Sequence, residues 1–279
     1  MGGTLVSPTC LRIAGASLVG VTHERCGDSC GDAWIARRTA QRADGGELLI
    51  ACVCDGAGSA RKGREGAILA AFAACGWFEE NFWPALGLSR HAIGRGCLGS
   101  VTRLIRRAAR SSGYGFPEYA CTLVLVSVSS TGAWIAVHVG DGGIVGQFGE
   151  RVDLVSARER GEYANETFFV TSHDLPDHTR VYGSVFGGPM ATPKGFAVFS
   201  DGVEGSLVNA RTGAVAPAIC TMLDWLREHP EGTVAEALAQ NIEDHCRERS
   251  GDDCTLVLLA RLAARTEETA ASSEKAQRT

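Results

Sequence analysis

Aspartates stand beside or near glycine at five ends of strand-like segments: Asp32, Asp55, Asp141, Asp201 and the pair Asp252/Asp253. Four of these sites carry the glycine next door, as Gly31-Asp32, Asp55-Gly56, Asp141-Gly142 and Asp201-Gly202, and Gly251 precedes Asp252. Strand ends hold a side chain rigidly, and glycine lets backbone approach an ion or substrate closely. Converging carboxylates repel one another unless a cation sits among them. Oxygen-only ligands suit hard ions such as Mg²⁺ or Mn²⁺. Two such ions side by side can activate a water and clamp a phosphoryl group. Taken singly, each Asp-Gly pair is also an ordinary turn.

The elements that must place these carboxylates are legible in outline. Residues 11–22 and 33–38 read as strands. ELLIACVCD (47–55) is a nearly continuous apolar run and reads as a buried strand. Residues 64–82 have apolar positions at helical spacing (Ile68, Phe72, Cys75, Phe78, Phe82), and 90–110 form a second helix with Ile93, Cys97, Val101, Leu104 and Ile105 on one face. Residues 121–129 and 133–141 form a hairpin across Ser-Thr-Gly, which IVGQFG and RVDLV extend as a meander. Residues 156–192 read as an irregular flap with one short strand, TFFV, of the kind that usually serves function. GFAVFSDG (195–202) is a strand, 214–228 and 233–248 are helices, and DCTLVLLARL (253–262) is a last strand. This order is not a βαβ alternation and predicts an α+β layered fold of mostly antiparallel sheets. One domain is expected over 1–263, followed by a disordered tail over 264–279.

Composition excludes several classes. The 279 residues include 35 glycines without a three-residue period, so collagen is excluded. A net charge of −5 is not that of a general nucleic-acid binder. The longest apolar run, Ala67 to Phe78, falls short of the ~18 residues of a membrane span. MGGTLVSPTC lacks a basic region followed by an apolar stretch, so no secretory leader is expected. The 11 cysteines, odd in number and several of them in apolar segments (Cys52, Cys54, Cys75, Cys121 and Cys254), predict reduced, buried thiols in a cytoplasmic protein.

The ordered strings AWIARR…LLIACVCDGAGSA, CTLVLV, IAVHVGDG, FAVFSDGV and GDDCTLVLLA resemble the metal-dependent Ser/Thr protein phosphatases of the PPM or type 2C family. The bacterial branch has Gly-x-x-His…Cys-Gln-Asp-Ala and Asp-Gly-x-Gly-Ser. Here these read Gly20-Val21-Thr22-His23…Cys30-Gly31-Asp32-Ala33 and Asp55-Gly56-Ala57-Gly58-Ser59. The resemblance covers residues 13–262. It implies a four-layer αββα sandwich, two antiparallel sheets flanked by helix pairs, with two or three Mn²⁺ or Mg²⁺ ions in a cleft at one end. It assigns Asp55 as the bridging ligand and the Gly56 carbonyl to the second ion. Asp201 and Asp252 complete the first site, Asp141 contacts a third ion, Asp253 supports, and Asp32 holds the catalytic water. The implied reaction is single-step hydrolysis of phosphoserine or phosphothreonine in proteins, with a Ser/Thr kinase or its targets as partners.

The chain departs from the family at three places. Gly31 stands where the family keeps Glu or Gln, with Asp28 as a candidate substitute. Ala57 replaces a histidine proposed as general acid. Gly27 stands where a phosphate-binding arginine is expected, which leaves Arg25 and Arg61, or Lys62, as candidate phosphate contacts. These losses keep open a second reading, a catalytically weak or inactive phosphatase-like module that binds a phosphoprotein or a kinase. A hydrolase of another phosphate ester is a third.

Other motifs carry less. Gly94-Arg95-Gly96-Cys97-Leu98-Gly99 fits G-x-G-x-x-G but falls inside the second helix instead of after a strand. His23, Cys26 and Cys30 offer zinc three ligands without an evident fourth. His138 reads as a satisfied sheet histidine, and the arginines from 103 to 110 as a solvated helix face.

Overall fold

A computed structural model describes residues 11–39, 46–157, 167–173, 175, 177–186 and 192–262. The chain from 264 onward, where the tail is expected, lies outside the described residues. Two five-stranded sheets, antiparallel in every pairing, face each other. The first runs in the order β1 (Leu11–Leu18), β10 (Cys254–Arg261), β9 (Pro193–Phe199), β6 (Gly143–Phe148), β7 (Arg151–Ala157). The second runs β2 (Ala33–Thr39), β3 (Leu48–Cys54), β4 (Leu123–Ser129), β5 (Trp134–Val139), β8 (Arg180–Gly183).

Burial on both faces explains why the central strands are apolar throughout instead of alternating. On β3, Leu48, Ile50, Cys52 and Cys54 pack outward against α2 (Gly63–Ala85) and α3 (Arg90–Ser112). Leu49, Ala51 and Val53 point into the space between the sheets. There Trp134, Phe148 and Phe196 make an aromatic cluster, with Trp134 and Phe196 centroids 5.2 Å apart. On β10, Leu256, Leu258 and Ala260 pack under the second helix pair, α5 (Ala218–Glu228) and α6 (Glu231–Ile242). Val257 and Leu259 face inward. The four layers are therefore helices, sheet, sheet, helices, as expected. The thiols of Cys52, Cys54, Cys75, Cys97 and Cys121 are core side chains in the layer under α2 and α3.

Several local expectations are corrected. The strand read over 11–22 stops at Leu18, and a short helix, α1 (Val21–Cys26), follows. The strand read as ending at 202 stops at Phe199, and Asp201 opens another short helix, α4 (Asp201–Leu207). The meander does not continue past β5, because β6 and β7 belong to the other sheet. The chain crosses between sheets at Gly140-Asp141-Gly142, whose glycines have φ of 94° and 82°, a region that disfavours side-chain-bearing residues. Thr167–Val170 is not a strand, whereas the flap contributes β8 and a short helical turn, Ser184–Phe186. On α2 the buried face is made of Ala67, Ala70, Ala71 and Ala74 with Phe78 and Phe82. Ile68 and Phe72 are exposed, Phe72 lying under the Arg37 guanidinium at 4.7 Å. Small residues on the inner face let α2 lie close to the sheet, so the bulky residues at helical spacing do not all mark the core.

Candidate metal centre

The aspartates meet at one end of the sandwich. Asp55 follows β3, and its backbone is fixed by a pair of bonds to β4: Asp55 N donates to Thr122 Oγ1 (2.9 Å), and Thr122 N donates to Asp55 O (2.8 Å). Asp141 sits on the crossover between sheets. Asp201 begins α4 after β9. One carboxylate oxygen from each of Asp55, Asp141 and Asp201 lies within 4.8 Å of the others. A second group with the same spacing is His23, Asp252 and Asp253. Both groups border a cavity of about 220 Å³ lined by His23, Asp55, Gly56, Asp141 and Asp252, together with the loop 57–59, Thr167 and Phe169.

Asp32, just before β2, is almost fully buried. Its Oδ2 accepts from Ser200 Oγ (2.7 Å) and Thr255 Oγ1 (2.6 Å), while Oδ1 is buried without a partner. Ser17 Oγ lies 2.7 Å from Thr255 Oγ1 and, since that hydroxyl is given to Asp32, donates to it. Asp253, 2% exposed, accepts from Gly20 N (2.6 Å) through Oδ1 and from Gly31 N (2.5 Å) through Oδ2, and Oδ2 is also 3.0 Å from His23 Nδ1. It clasps both ends of the segment from 20 to 31. Asp141 Oδ2 accepts from Thr167 Oγ1 (2.8 Å), which ties the flap to the cluster.

The electrostatics are those of a crowded anionic site. Burial raises the Asp55 carboxyl far above the usual carboxylate range, and the charges of Asp32, Asp201, Asp141 and Asp252 raise it further. Burial also raises Asp32, against the pull of the Thr255 and Ser200 hydroxyls, with Asp253 and Asp201 adding to the rise. The Asp55, Asp141 and Asp201 set fits a hard divalent cation: its ligands are all oxygen, and the orphaned Asp32 oxygen adds an acceptor. A carboxyl raised by folding favours the native state most when protonated. The metal-free protein is therefore expected to lose stability as pH rises from the normal carboxylate range past neutrality. Melting temperatures in EDTA should fall between about pH 6 and about pH 8.5, and Mn²⁺ should flatten that slope. An unchanged slope on adding Mn²⁺ would count against a cation site here.

The structure brings together Asp32, Asp55, Gly56, Asp141, Asp201 and Asp252, but partitions them differently from the expected scheme. Asp141 groups with Asp55 and Asp201, and Asp252 groups with His23. The place beside Gly31 is tight for a side chain. A Cβ there would stand 3.3 Å from Gly56 O and 3.3 Å from Asp253 Oδ2. Arg25 on α1 and Arg61 before α2 are exposed, and neither lines the cavity. His23 lies next to Asp253 and apart from the thiols; Cys30 Sγ instead lies 3.4 Å from Ser17 Oγ. His138 is satisfied as expected: Nε2 meets the Asp141 carbonyl (3.2 Å) and Nδ1 meets Ser156 Oγ (2.6 Å). A carbonyl only accepts, so Nε2 carries the proton. Burial and Arg180 push the imidazole down to about 3, so it is neutral. Ser200, Thr255, Thr122 and Thr167 escaped sequence reading. Single small hydroxyl residues carry no spacing signal, though Ser200 and Thr255 do flank the Asp201 and Asp252/Asp253 motifs.

A sequence profile of the family described as Protein phosphatase 2C matches residues 19–243. Serine/threonine-protein phosphatase 3 of Escherichia coli (strain K12) is 29% identical over 199 residues, covering 71% of this chain and 76% of that one. Among solved structures, the catalytic domain of the serine/threonine protein phosphatase PstP in complex with two manganese ions superposes with a TM-score of 0.58 at 17% identity, covering 91% of this chain and 99% of that one. A bacterial serine phosphatase superposes with a TM-score of 0.60 at 14% identity, covering 92% and 100%. At such identities the superpositions speak for the fold, whereas the profile spans most of the sequence. On that ground this chain belongs to the protein phosphatase 2C family of serine/threonine phosphatases.

Proposed function

We propose that the chain is a Mn²⁺- or Mg²⁺-dependent phosphatase that hydrolyses phosphoserine and phosphothreonine in proteins. The convergence of Asp55, Asp141 and Asp201 on one point of the cleft carries this reading. Asp252 and the Gly56 carbonyl, on the same cleft, complete the ligands we assign. Divalent cations held there would neutralise charge on the phosphoryl group and activate a water for in-line attack. Asp32 offers its free Oδ1 as an acceptor that orients water, held by Ser200 and Thr255. Arg25 and Arg61 remain our candidates for contact with the incoming phosphate, by side chains reaching from outside the cleft.

Ala57 has no proton to give, and among the described residues His23 is the one imidazole lining the cleft. We assign it the proton for the departing serine or threonine oxygen. Burial works against its protonated form, but the hydrogen bond and charge of Asp253, with Asp252 and Asp28, outweigh that and raise its pKa. His23→Ala is expected to slow a phosphothreonine peptide by about 10²-fold and an aryl phosphate, whose leaving group needs no proton, much less. Equal losses on both substrates would remove His23 from this role.

The partners we infer are phosphorylated proteins, among them a Ser/Thr kinase or its targets. This follows from family membership and from the E. coli relative's description. No described helix is long and apolar enough to cross a membrane. The many core thiols suit a reducing cytoplasm. The direct test is release of phosphate from a phosphothreonine peptide with Mn²⁺, with Mg²⁺ and with EDTA. Turnover only with a divalent cation supports the proposal. Mn²⁺ binding without turnover of peptide or aryl phosphate would reduce the chain to a binding module.

A further inference from the structure

A cavity larger than the metal cleft lies elsewhere in the fold. A pocket of about 630 Å³, within the usual range for small-molecule sites, lies between α3 and β8. Its floor is apolar, made by Leu98, Leu175 and Val181. Its polar lining is basic: Arg90, His91 and Arg95 from α3, and Arg180 from β8. Thr102, Thr179 and Tyr182 add hydroxyls, and no carboxylate is among the described residues that line it. This is unexpected in a chain of net charge −5.

The basic groups differ in what already occupies them. Arg180 Nη1 donates to the Ala157 carbonyl at 2.6 Å, and Arg90 lies over the Phe186 ring at 5.0 Å. Arg95 and His91 have no hydrogen bond or ion pair among the described residues. They stand four residues apart, so they share one face of α3. The glycine pattern at 94–99 now has a physical role that is not that of a phosphate-binding loop. A Cβ on Gly94 would approach Thr179 Cγ2 to 3.2 Å, so glycine lets the β8 segment come close and form one wall. Gly99 faces open space on the same wall, and a side chain there would begin to fill the pocket.

We propose that this pocket binds a small organic phosphate, with the phosphate held by Arg95, His91 and Arg90 and a ring or sugar body lying on Leu98, Leu175 and Val181 beside Tyr182. Guanidinium groups match phosphate oxygens in fork geometry, and the apolar floor gives an inorganic ion nothing to bury. The site is separate from the aspartate cleft, since the two share no lining residue.

The test uses the full chain in EDTA, where no cation can hold phosphate at the aspartates, so its result is independent of whether the chain is a phosphatase. Calorimetric titration with AMP, GMP and ribose 5-phosphate should give at least one Kd below about 1 mM. Adenosine and inorganic phosphate should bind at least about tenfold more weakly. Arg95→Ala should weaken the bound probe by about tenfold or more, whereas Arg110→Ala, an exposed arginine of the same helix outside the pocket, should leave it unchanged. Both substitutions are at solvent-exposed positions, and thermal melting checks that each variant is folded. The proposal is overturned if none of the three probes binds at about 10 mM, if Arg95→Ala binds as tightly as the parent, or if a phosphothreonine peptide binds the pocket and the three probes do not.

Discussion

Asp55→Asn is expected to lower phosphatase turnover by at least ~10³-fold while making the metal-free protein more stable. Both effects have one cause. Asp55 is surrounded by the carboxylates of Asp32, Asp201, Asp141 and Asp252, and its own carboxyl is strongly raised by burial and by those charges. Held without a cation, it opposes folding. An amide of the same shape removes the charge while keeping the packing, so melting in EDTA should rise by ~2–4 °C for each kcal/mol of repulsion relieved. The same change removes the ligand we place between the ions, and cation stabilisation should shrink with it. Calorimetric Mn²⁺ titration, melting with and without Mn²⁺, and peptide turnover together test the idea. A variant that keeps its turnover sinks the mechanism. One that loses turnover but shows no stability gain in EDTA would mean the aspartates are not strained by one another.

This trade between stability and cation binding explains why so much of the site was legible in the sequence and why part of it was not. Selection for a charge cluster leaves a conspicuous trace: acidic residues at strand ends, each with a glycine to let backbone pass. Gly56 shows the need, because a Cβ there would stand 2.4 Å from the Gly63 carbonyl carbon at the start of α2. The doubly buried strand β3 was equally plain, since it has no polar face to present. What the sequence concealed depends on pairing between distant segments. β5 and β6 are joined by three residues, like a hairpin, yet lie in different sheets, and only the paired positive φ of Gly140 and Gly142 marks the crossing. Ile68 and Phe72 carry the right spacing for a core face, but alanines set how closely α2 packs. The grouping of Asp141 with Asp55 and Asp201, and of His23 with Asp252 and Asp253, depends on how α1 and the crossover fold back over the sheet ends, which no local pattern encodes.

Asp253 tests the division between ligand and support. Asp253→Ala is expected to destabilise the protein by roughly 4 kcal/mol, because it leaves the Gly20 and Gly31 amides without their acceptors; each such buried donor costs ~1–3 kcal/mol. For a chain of this size that is a fall in melting temperature of roughly 10 °C. Asp253→Asn sharpens the inference. Its single amide oxygen can serve one backbone amide, and its NH₂ must then face the other, donor against donor. The loss should therefore be more than half that of alanine, although the side-chain volume is unchanged. The loop from 20 to 31 also carries His23, whose Nδ1 is held by the same carboxylate. The ratio of peptide to aryl phosphate turnover should consequently fall in both variants, while one Mn²⁺ still binds at Asp55, Asp141 and Asp201. The opposite pattern, full stability with one bound Mn²⁺ lost, would make Asp253 a metal ligand that stands in for the side chain absent at Gly31, and the clasp incidental.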